Sequence, residues 1–229
     1  MTASGHSADP HVETASAAGA ASAPPDAAGT TAAARIVQAL ERLGVPVAFG
    51  LPGVHNLAIW KALSESSIRL VGVRHEQAAV YAADGYTRAT GRLGVAVVTT
   101  GPGAANTLGA TGEAMASGSP VLVIATDIPA AIRRPGIYRG SLHETRDQTA
   151  MFAPVTKTAT LVTEAAQVGD AVVAAAQLAM AAPSGPVYLG VPTDLLRQPA
   201  PELPPRLPAA PRPRAFDDGG LEAAVRLIA

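Results

Sequence analysis

The chain has 229 residues, of which 48% are hydrophobic and 15% are charged, so it can bury a substantial core in one large domain. A formal net charge of -1 gives no electrostatic basis for binding nucleic acid or an anionic membrane, and we expect neither as a partner. The lack of cysteine excludes disulfides and thiolate metal sites, and it fits a cytoplasmic location.

Residues 1–30 differ in composition from the rest of the chain. They are rich in alanine, serine and glycine and contain neither lysine nor arginine. A secretory signal needs a basic start and an apolar core, and this segment has neither. We therefore expect residues 1–30 to be a disordered, Ala-rich tail.

From Thr31 onwards, helical and strand patterns alternate. In chain order, the patterns predict a helix over 32–43, a strand over 45–49, a helix over 56–64, a strand over 68–73, a helix over 77–89, a strand over 95–99, a helix over 104–116, a strand over 121–125, a long charged loop over 127–150, a strand over 155–162, a helix over 165–181 and a strand over 187–191. The strands are continuous runs of Val, Ile and Leu, which is typical of a sheet covered on both faces. We therefore predict an α/β fold of three layers, a doubly wound, mostly parallel sheet with helices on both faces.

The composition changes again after residue 196. Residues 197–214 contain seven prolines in eighteen positions, which predicts a stiff, extended linker. Beyond it, residues 221–229 have the pattern of an amphipathic helix. We interpret 31–196 as the main domain, and 215–229 as the start of a second domain that this chain cuts short.

A lone carboxylate, Glu76, stands where the strand predicted over 68–73 turns into the next helix. In a parallel sheet such turns gather at the carboxyl ends of the strands, where ligands bind. The residues alone leave two interpretations open. Glu76 is either a sheltered carboxyl group that shares a proton with a ligand nitrogen, or a helix N-terminal acid paired with Arg74 or Arg88.

A second strand-to-helix turn lies at 99–106, with the sequence Thr-Thr-Gly-Pro-Gly-Ala-Ala-Asn. Together with Asp127 at the end of the next strand, Gly101 and Gly103 partly match a dinucleotide-binding fingerprint. Asn106 stands where that fingerprint needs a small residue, and the turn follows the third strand instead of the first. A tight turn without a ligand is the alternative.

His143 and Glu144 lie in the long loop and are either a general acid–base pair or a solvated loop pair. No GxxxxGK[ST] motif occurs, which excludes a P-loop nucleotidase. We assign no residue of this chain as a metal ligand.

Several segments together resemble one family. They are GLPG at 50–53, RHEQAAVYAADGYTRATG at 74–91, GVAVVTTGPGAANTLGA at 94–110, SPVLVIATD at 119–127, APVTKTATLV at 153–162 and SGPVYLGVPTDLL at 184–196. In this order and spacing they resemble the pyrimidine-binding domain of thiamine-diphosphate enzymes, in the superfamily of acetolactate synthases and 2-oxo acid decarboxylases. The resemblance covers 31–196.

The resemblance implies that Glu76 hydrogen-bonds N1′ of the cofactor's aminopyrimidine, which favours loss of the thiazolium C2 proton and attack on a 2-oxo acid. His143 is the second catalytic candidate. The cofactor-binding residues implied by the resemblance are Leu51, Pro52, Gly53, Glu76, Thr99, Pro102 and Asn106. Decarboxylation and carboligation, a lyase and a transferase activity, both stay open, as does the identity of the 2-oxo acid.

The chain also departs from acetolactate synthases. Those enzymes have a glutamine where this chain has His143, and the Leu-His-Glu run resembles decarboxylases of arginine-derived 2-oxo acids. FAD-binding synthases usually have an arginine near the position of Gln177, so we do not expect an FAD requirement. The Gly-Asp-Gly segment and the later asparagine that hold Mg²⁺ in the family are absent from this sequence.

We therefore expect the Mg²⁺ ligands in a missing domain or a complementary chain, and we expect this polypeptide alone to be inactive. A homo-oligomer, either a dimer or a tetramer, is the expected assembly. Two other functions stay open, a dinucleotide-binding domain of an oxidoreductase and a non-catalytic assembly module of the same fold.

Overall fold

The computed structural model describes residues 30–134, 136–208 and 218–228. The strands are β1 (Val47–Gly50), β2 (Arg69–Gly72), β3 (Gly94–Val98), β4 (Val121–Asp127), β5 (Thr158–Leu161) and β6 (Val187–Pro192). The helices are α1 (Ala32–Arg42), α2 (Leu57–Ser64), α3 (Glu76–Thr90), α4 (Pro102–Ala105), α5 (Leu108–Ala116), α6 (Gln148–Phe152), α7 (Val168–Met180) and α8 (Asp218–Ile228). The tail predicted over 1–30 lies almost wholly outside the described residues.

The six strands form one sheet in the order β2-β1-β3-β4-β6-β5, and every pairing of neighbouring strands is parallel. All residues of β3, β4 and β6 are buried, because helices cover the sheet on both faces. This confirms the predicted three-layer α/β fold.

Alternate residues of the central strands enter two separate cores. Val95 and Val97 of β3 pack with apolar residues of α1, α2 and α7 on one face of the sheet. Ala96 and Val98 point the other way and pack with α3 and α5. Because both faces are apolar, the strands read in sequence as continuous hydrophobic runs instead of alternating ones.

Helix α3 begins at Glu76, one residue before its predicted start. The side chain of His75 caps it, since Nδ1 accepts a hydrogen bond of 3.2 Å from the backbone N–H of Gln77. The helix ends at Gly91, whose φ of 69° lies in the left-handed region that glycine adopts without strain. These two caps place Glu76 in the first turn of the helix, next to the end of β2.

Three elements differ from the predicted ones. The helix predicted over 104–116 is divided into α4 and α5, because the chain leaves the first helix at Asn106 and restarts after Thr107. The strand predicted over 155–162 is shorter, because Pro154 lies in a 3-10 turn over Ala153–Val155. The loop predicted over 127–150 contains the start of α6, which Asp147 caps by accepting a hydrogen bond from the backbone of Ala150.

Residues 197–208, which we call the strap, return across α1. Backbone hydrogen bonds join Ala32 to Gln198 and Ala200 to Thr30. Leu203 of the strap packs so closely on Gly169 of α7 that a Cβ on this glycine would lie 2.7 Å from the Leu203 Cδ2 atom. The first part of the predicted linker is therefore attached to the domain, and residues 209–217 lie outside the described chain.

Candidate active site

The order of the strands creates a crevice between β1 and β3. From β1 the chain moves to β2 on one side, and it then crosses to β3 on the other side. At such a reversal the loops after the two central strands diverge and leave a space at their carboxyl ends, where α/β proteins bind ligands. We call this space the switch-point crevice; its walls are residues 50–53 after β1 and 99–103 after β3.

Glu76 reaches this crevice from the end of β2. Its side chain is nearly buried, with 8% exposure. One carboxylate oxygen, Oε2, accepts a hydrogen bond of 2.9 Å from Nδ2 of Asn106. Within the described chain Glu76 has no ion pair with Arg74 or Arg88, and Arg88 instead bridges Asp84 and Glu113. The ion pair expected in the second interpretation, with Arg74 or Arg88, is therefore wrong, whereas Glu76 does lie in the first turn of α3 as that interpretation also stated.

Two glycines let Glu76 and the strand ends approach one another. A Cβ on Gly53 would lie 2.6 Å from the side chain of Thr99, closer than real carbon atoms approach. A Cβ on Gly103 would lie 2.5 Å from the Thr99 Cγ2 atom and 3.2 Å from Oε1 of Glu76. The crevice therefore brings together Gly53, Thr99, Gly103 and Glu76. All four lie in the strand-end segments that the sequence pattern indicated as candidate ligand sites.

Thr99 has a hydroxyl group that no neighbour satisfies. Its Oγ1 atom is buried and has no hydrogen-bond partner among the described residues. A buried hydroxyl without a partner is costly, so it is a natural position for a ligand donor or acceptor.

The turn at residues 51–53, on the other side of the crevice, is held by Asn56. The Asn56 side chain accepts a hydrogen bond of 2.8 Å from the backbone N–H of Gly53 and donates one of 3.1 Å to the carbonyl of Leu51. Pro52 lies in this turn and is exposed.

The turn at Gly101 is held in place by Gln148, a residue that the sequence analysis did not identify. Gln148 is fully buried, and its Oε1 accepts a hydrogen bond of 2.6 Å from the backbone N–H of Gly101. Its Nε2 donates to the carbonyl of Thr126 and to the hydroxyl of Tyr188. No motif marks Gln148 in the sequence, because its partner Gly101 is 47 residues away.

His143 lies directly over Gly101. A Cβ on that glycine would be 2.8 Å from the Cβ of His143, whose own φ of 62° is in the left-handed region. The ring of His143 contacts that of His55 edge to face, with ring centroids 5.5 Å apart. Burial lowers the pKa of His55, and the neighbouring His143 lowers it further.

Glu144, the expected partner of His143, has another contact. Its Oε2 atom accepts hydrogen bonds from the backbone N–H groups of Arg139 and Ser141, at 3.0 and 2.9 Å. The carboxylate thus stabilises the loop, and the ring that meets His143 is His55. No sequence motif indicates His55, apart from its position two residues after Gly53.

Asp127, the acid of the possible dinucleotide fingerprint, is already engaged. It is 1% exposed, and Oδ2 forms an ion pair of 2.6 Å with Arg133. Its Oδ1 accepts from the backbone N–H of Ile128 at 2.7 Å. Burial raises the pKa of Asp127, and the charge of Arg133 opposes this effect. A carboxylate held in this way is not free to bind a ribose hydroxyl.

The described parts of the chain lack two further features, a metal-ion cluster and a membrane-spanning helix. No cluster of three or more histidine, aspartate or glutamate side chains there could hold a metal ion. No helix in these parts is both long enough and apolar enough to span a bilayer.

The segments that form the crevice also match known proteins. Residues 30–151 match the family model of the thiamine pyrophosphate enzyme N-terminal TPP binding domain. The probable 2-ketoarginine decarboxylase of Pseudomonas aeruginosa is 40% identical over 169 residues, which are 74% of this chain and 30% of that protein. The catabolic acetolactate synthase of Raoultella terrigena is 35% identical over 196 residues, 85% of this chain and 34% of that protein.

The acetolactate synthase of Bacillus subtilis is 32% identical over 193 residues, 84% of this chain and 33% of that protein. The chain thus spans about a third of the length of these curated relatives. The matched region contains β1 to β4, Glu76 and the whole switch-point crevice.

Proposed function

Because the chain belongs to the family of thiamine pyrophosphate enzymes through their N-terminal TPP binding domain, we propose that its switch-point crevice holds the aminopyrimidine ring of thiamine diphosphate against Glu76. The observation that carries the proposal is the buried Glu76 carboxylate, which Asn106 fixes at the carboxyl end of the sheet. A carboxyl group in this position can exchange a proton with a ring nitrogen in a site that excludes water.

The residues around Glu76 fit such a ring. The hydrogen bond from Asn106 occupies Oε2, which leaves Oε1, next to Gly103, for the ligand. The buried hydroxyl of Thr99 lacks a partner in the described chain and can donate to or accept from the ring or a substrate. Leu51 to Gly53 supply the opposite wall, in a turn whose shape Asn56 fixes.

When bound, thiamine diphosphate supplies a nucleophilic carbon and an electron sink for 2-oxo acids. The role of this chain is to orient the pyrimidine between Pro102 and the turn at 51–53, and to hold and return a proton at Oε1 of Glu76. His143 is the second group that we propose to act on the reacting molecule, as an acid or base from above Gly101. The domain that does this extends over 31–196.

We propose that the complete enzyme is a 2-oxo acid decarboxylase or carboligase, and hence a lyase or a transferase. The names of the relatives, a probable 2-ketoarginine decarboxylase and acetolactate synthases, support a 2-oxo acid as the substrate. Mg²⁺ would be held by residues outside the described part of this chain, and the working assembly would be an oligomer. FAD is not part of the proposal, because FAD-binding synthases usually have an arginine near the position of Gln177.

The single tryptophan of the chain gives a direct binding assay. The ring of Trp60 lies against the end of β1, where a Cβ on Gly50 would be 3.3 Å from its Cζ2 atom. Titration with thiamine, thiamine diphosphate and NAD⁺ should change Trp60 fluorescence with the first two ligands only. In Glu76→Gln we expect affinity for both thiamine compounds to fall at least about tenfold, because a charged hydrogen-bond acceptor is lost.

Glu113→Gln is the matched control, because this glutamate is exposed on α5 and its removal should leave binding unchanged. Equal affinity of Glu76→Gln and the original chain for thiamine would contradict the proposal. Saturable binding of NAD⁺ in place of thiamine would support the dinucleotide-binding alternative instead.

A further inference from the structure

Two histidines from different loops meet at the mouth of the switch-point crevice. His55 follows Gly53 by two residues on the β1 side, and His143 covers Gly101 on the β3 side. Their ring centroids are 5.5 Å apart and the ring planes form an angle of 75°. The two imidazoles therefore contact each other edge to face, beside the two turns that form the walls of the crevice.

The pair has no anionic partner within the described chain. Neither ring lies within ion-pair distance of a carboxylate there, and the two influences on the pKa of His55 are burial and His143, both of which lower it. Both influences favour the neutral form of His55. A neutral imidazole still carries one N–H donor, and with no carboxylate nearby to accept from it this donor can bind an anionic ligand.

The ring nitrogens indicate how such a ligand would bind. Nδ1 of His55 and Nδ1 of His143 are both buried and unpartnered among the described residues. This leaves Nε2 as the atom of each ring that a molecule in the crevice can reach, and a neutral imidazole whose Nδ1 is not a donor carries its proton there. Two N–H donors on adjacent rings match the two oxygens of a carboxylate.

The backbone of His143 is consistent with a role beyond packing. A residue other than glycine with φ of 62° lies in a sparsely populated region of backbone conformation. The conformation places the ring over Gly101 and against His55. Such strain persists where the surrounding structure fixes a side chain in a required position.

We propose that His55 and His143 together bind the carboxylate group of the 2-oxo acid substrate, each donating a hydrogen bond from Nε2. The proposal rests on the proposed function and adds the residues that recognise the acid group. Binding there would direct the substrate's carbonyl carbon towards the interior of the crevice, where Glu76 lies. His55 and His143 would thus set specificity for acids over neutral ketones.

Nuclear magnetic resonance of the imidazole rings tests the proposal in the ¹⁵N-labelled 229-residue chain, with and without thiamine diphosphate. Pyruvate should shift the Nε2 signals of His55 and His143 together and saturably. The signals of His75 should stay in place, because that ring caps α3. Pyruvamide, which has the same carbonyl group but no negative charge, should move neither ring.

The variants His55→Asn and His143→Asn remove one imidazole each, and asparagine tolerates the left-handed backbone at 143. Each should weaken the response of the remaining ring to pyruvate about tenfold, as expected for losing one hydrogen bond to a charged group. Unchanged Trp60 fluorescence and an unchanged thermal transition would verify the fold of both variants.

The proposal is overturned if pyruvate moves neither ring, or if inorganic phosphate moves both as strongly as pyruvate does, since the second outcome indicates unspecific anion binding. Thiamine binding is measured in the same samples. Normal thiamine binding without any response to pyruvate would refute only the carboxylate site. A response to pyruvate in a chain that does not bind thiamine would instead refute the proposed cofactor function.

Discussion

The contact between Gly103 and Thr99 gives a quantitative test of the crevice. In Gly103→Ala the new methyl group would lie 2.5 Å from Thr99 Cγ2 and 3.2 Å from Oε1 of Glu76. An overlap this close should lower the free energy of unfolding by about 3 kcal/mol, the upper end of the usual range for overpacking. Replacing glycine by alanine inside a helix returns about 1 kcal/mol. We therefore expect the free energy of unfolding to fall by about 2 kcal/mol.

A double-mutant cycle separates this clash from other effects. Thr99→Ser removes the Cγ2 methyl group and by itself should cost about 1 kcal/mol of transfer free energy. In the double variant the closest clash is gone and the gain of about 1 kcal/mol from alanine remains, so its unfolding free energy should lie about 1 kcal/mol above that of Thr99→Ser alone. The two substitutions then couple by about 3 kcal/mol, well above the scatter between independent sites.

Urea unfolding followed by the fluorescence of Trp60 measures all four corners of the cycle. Gly85→Ala is the control, because no atom lies within 4 Å of the position of its Cβ and it should stabilise α3 by about 0.5–1 kcal/mol. Additive effects of the two crevice substitutions, within about 0.5 kcal/mol, would show that Gly103 and Thr99 are not in contact.

Three further predictions follow from the buried polar groups. Because burial raises the pKa of Asp127 above its ordinary value of 3.8, its contribution to stability is present below pH 3.8 and is lost as the pH rises through the folded-state value. Unfolding measured from pH 3.5 to 7 should therefore show a smaller loss in Asp127→Asn, and identical pH profiles would contradict this. Tyr188→Phe should cost about 1 kcal/mol in thermal unfolding, since it removes the 2.7 Å bond from Gln148 and keeps the stacking on Phe152. Gln148→Leu should cost about 3 kcal/mol and speed amide hydrogen exchange at Gly101, because three buried partners lose their hydrogen bonds; unchanged exchange would show that Gln148 does not hold this turn.

Much of the architecture could be predicted because its causes are local. The continuous apolar runs of β3 and β4 follow from burial on both faces, and the glycines at 91 and 101 mark turns with positive φ. The position of Glu76 at a strand end could also be predicted from its neighbours in the sequence. These features depend on stretches of fewer than about ten residues, where periodicity and turn chemistry are informative.

The remaining features depend on distant partners. The Asn106–Glu76 hydrogen bond joins residues 30 positions apart, and the contact of His55 with His143 joins two loops on either side of the crevice. Neither pairing leaves a periodic trace in the chain. The division of the helix at Asn106 is of the same kind. The helical pattern is uninterrupted there, and the break places the Asn106 amide against the Glu76 carboxylate.

The strap has a consequence for how this domain can be arranged in a longer polypeptide. Since Thr30 bonds to Ala200, the chain enters the domain and leaves it at one place on the surface. A folded unit whose two ends lie close together can be inserted into a surface loop of another protein with little distortion of that protein. It can also be circularly permuted. Because Leu203 also packs on the core, residues 30 to 208 form the unit that could carry the crevice into another enzyme.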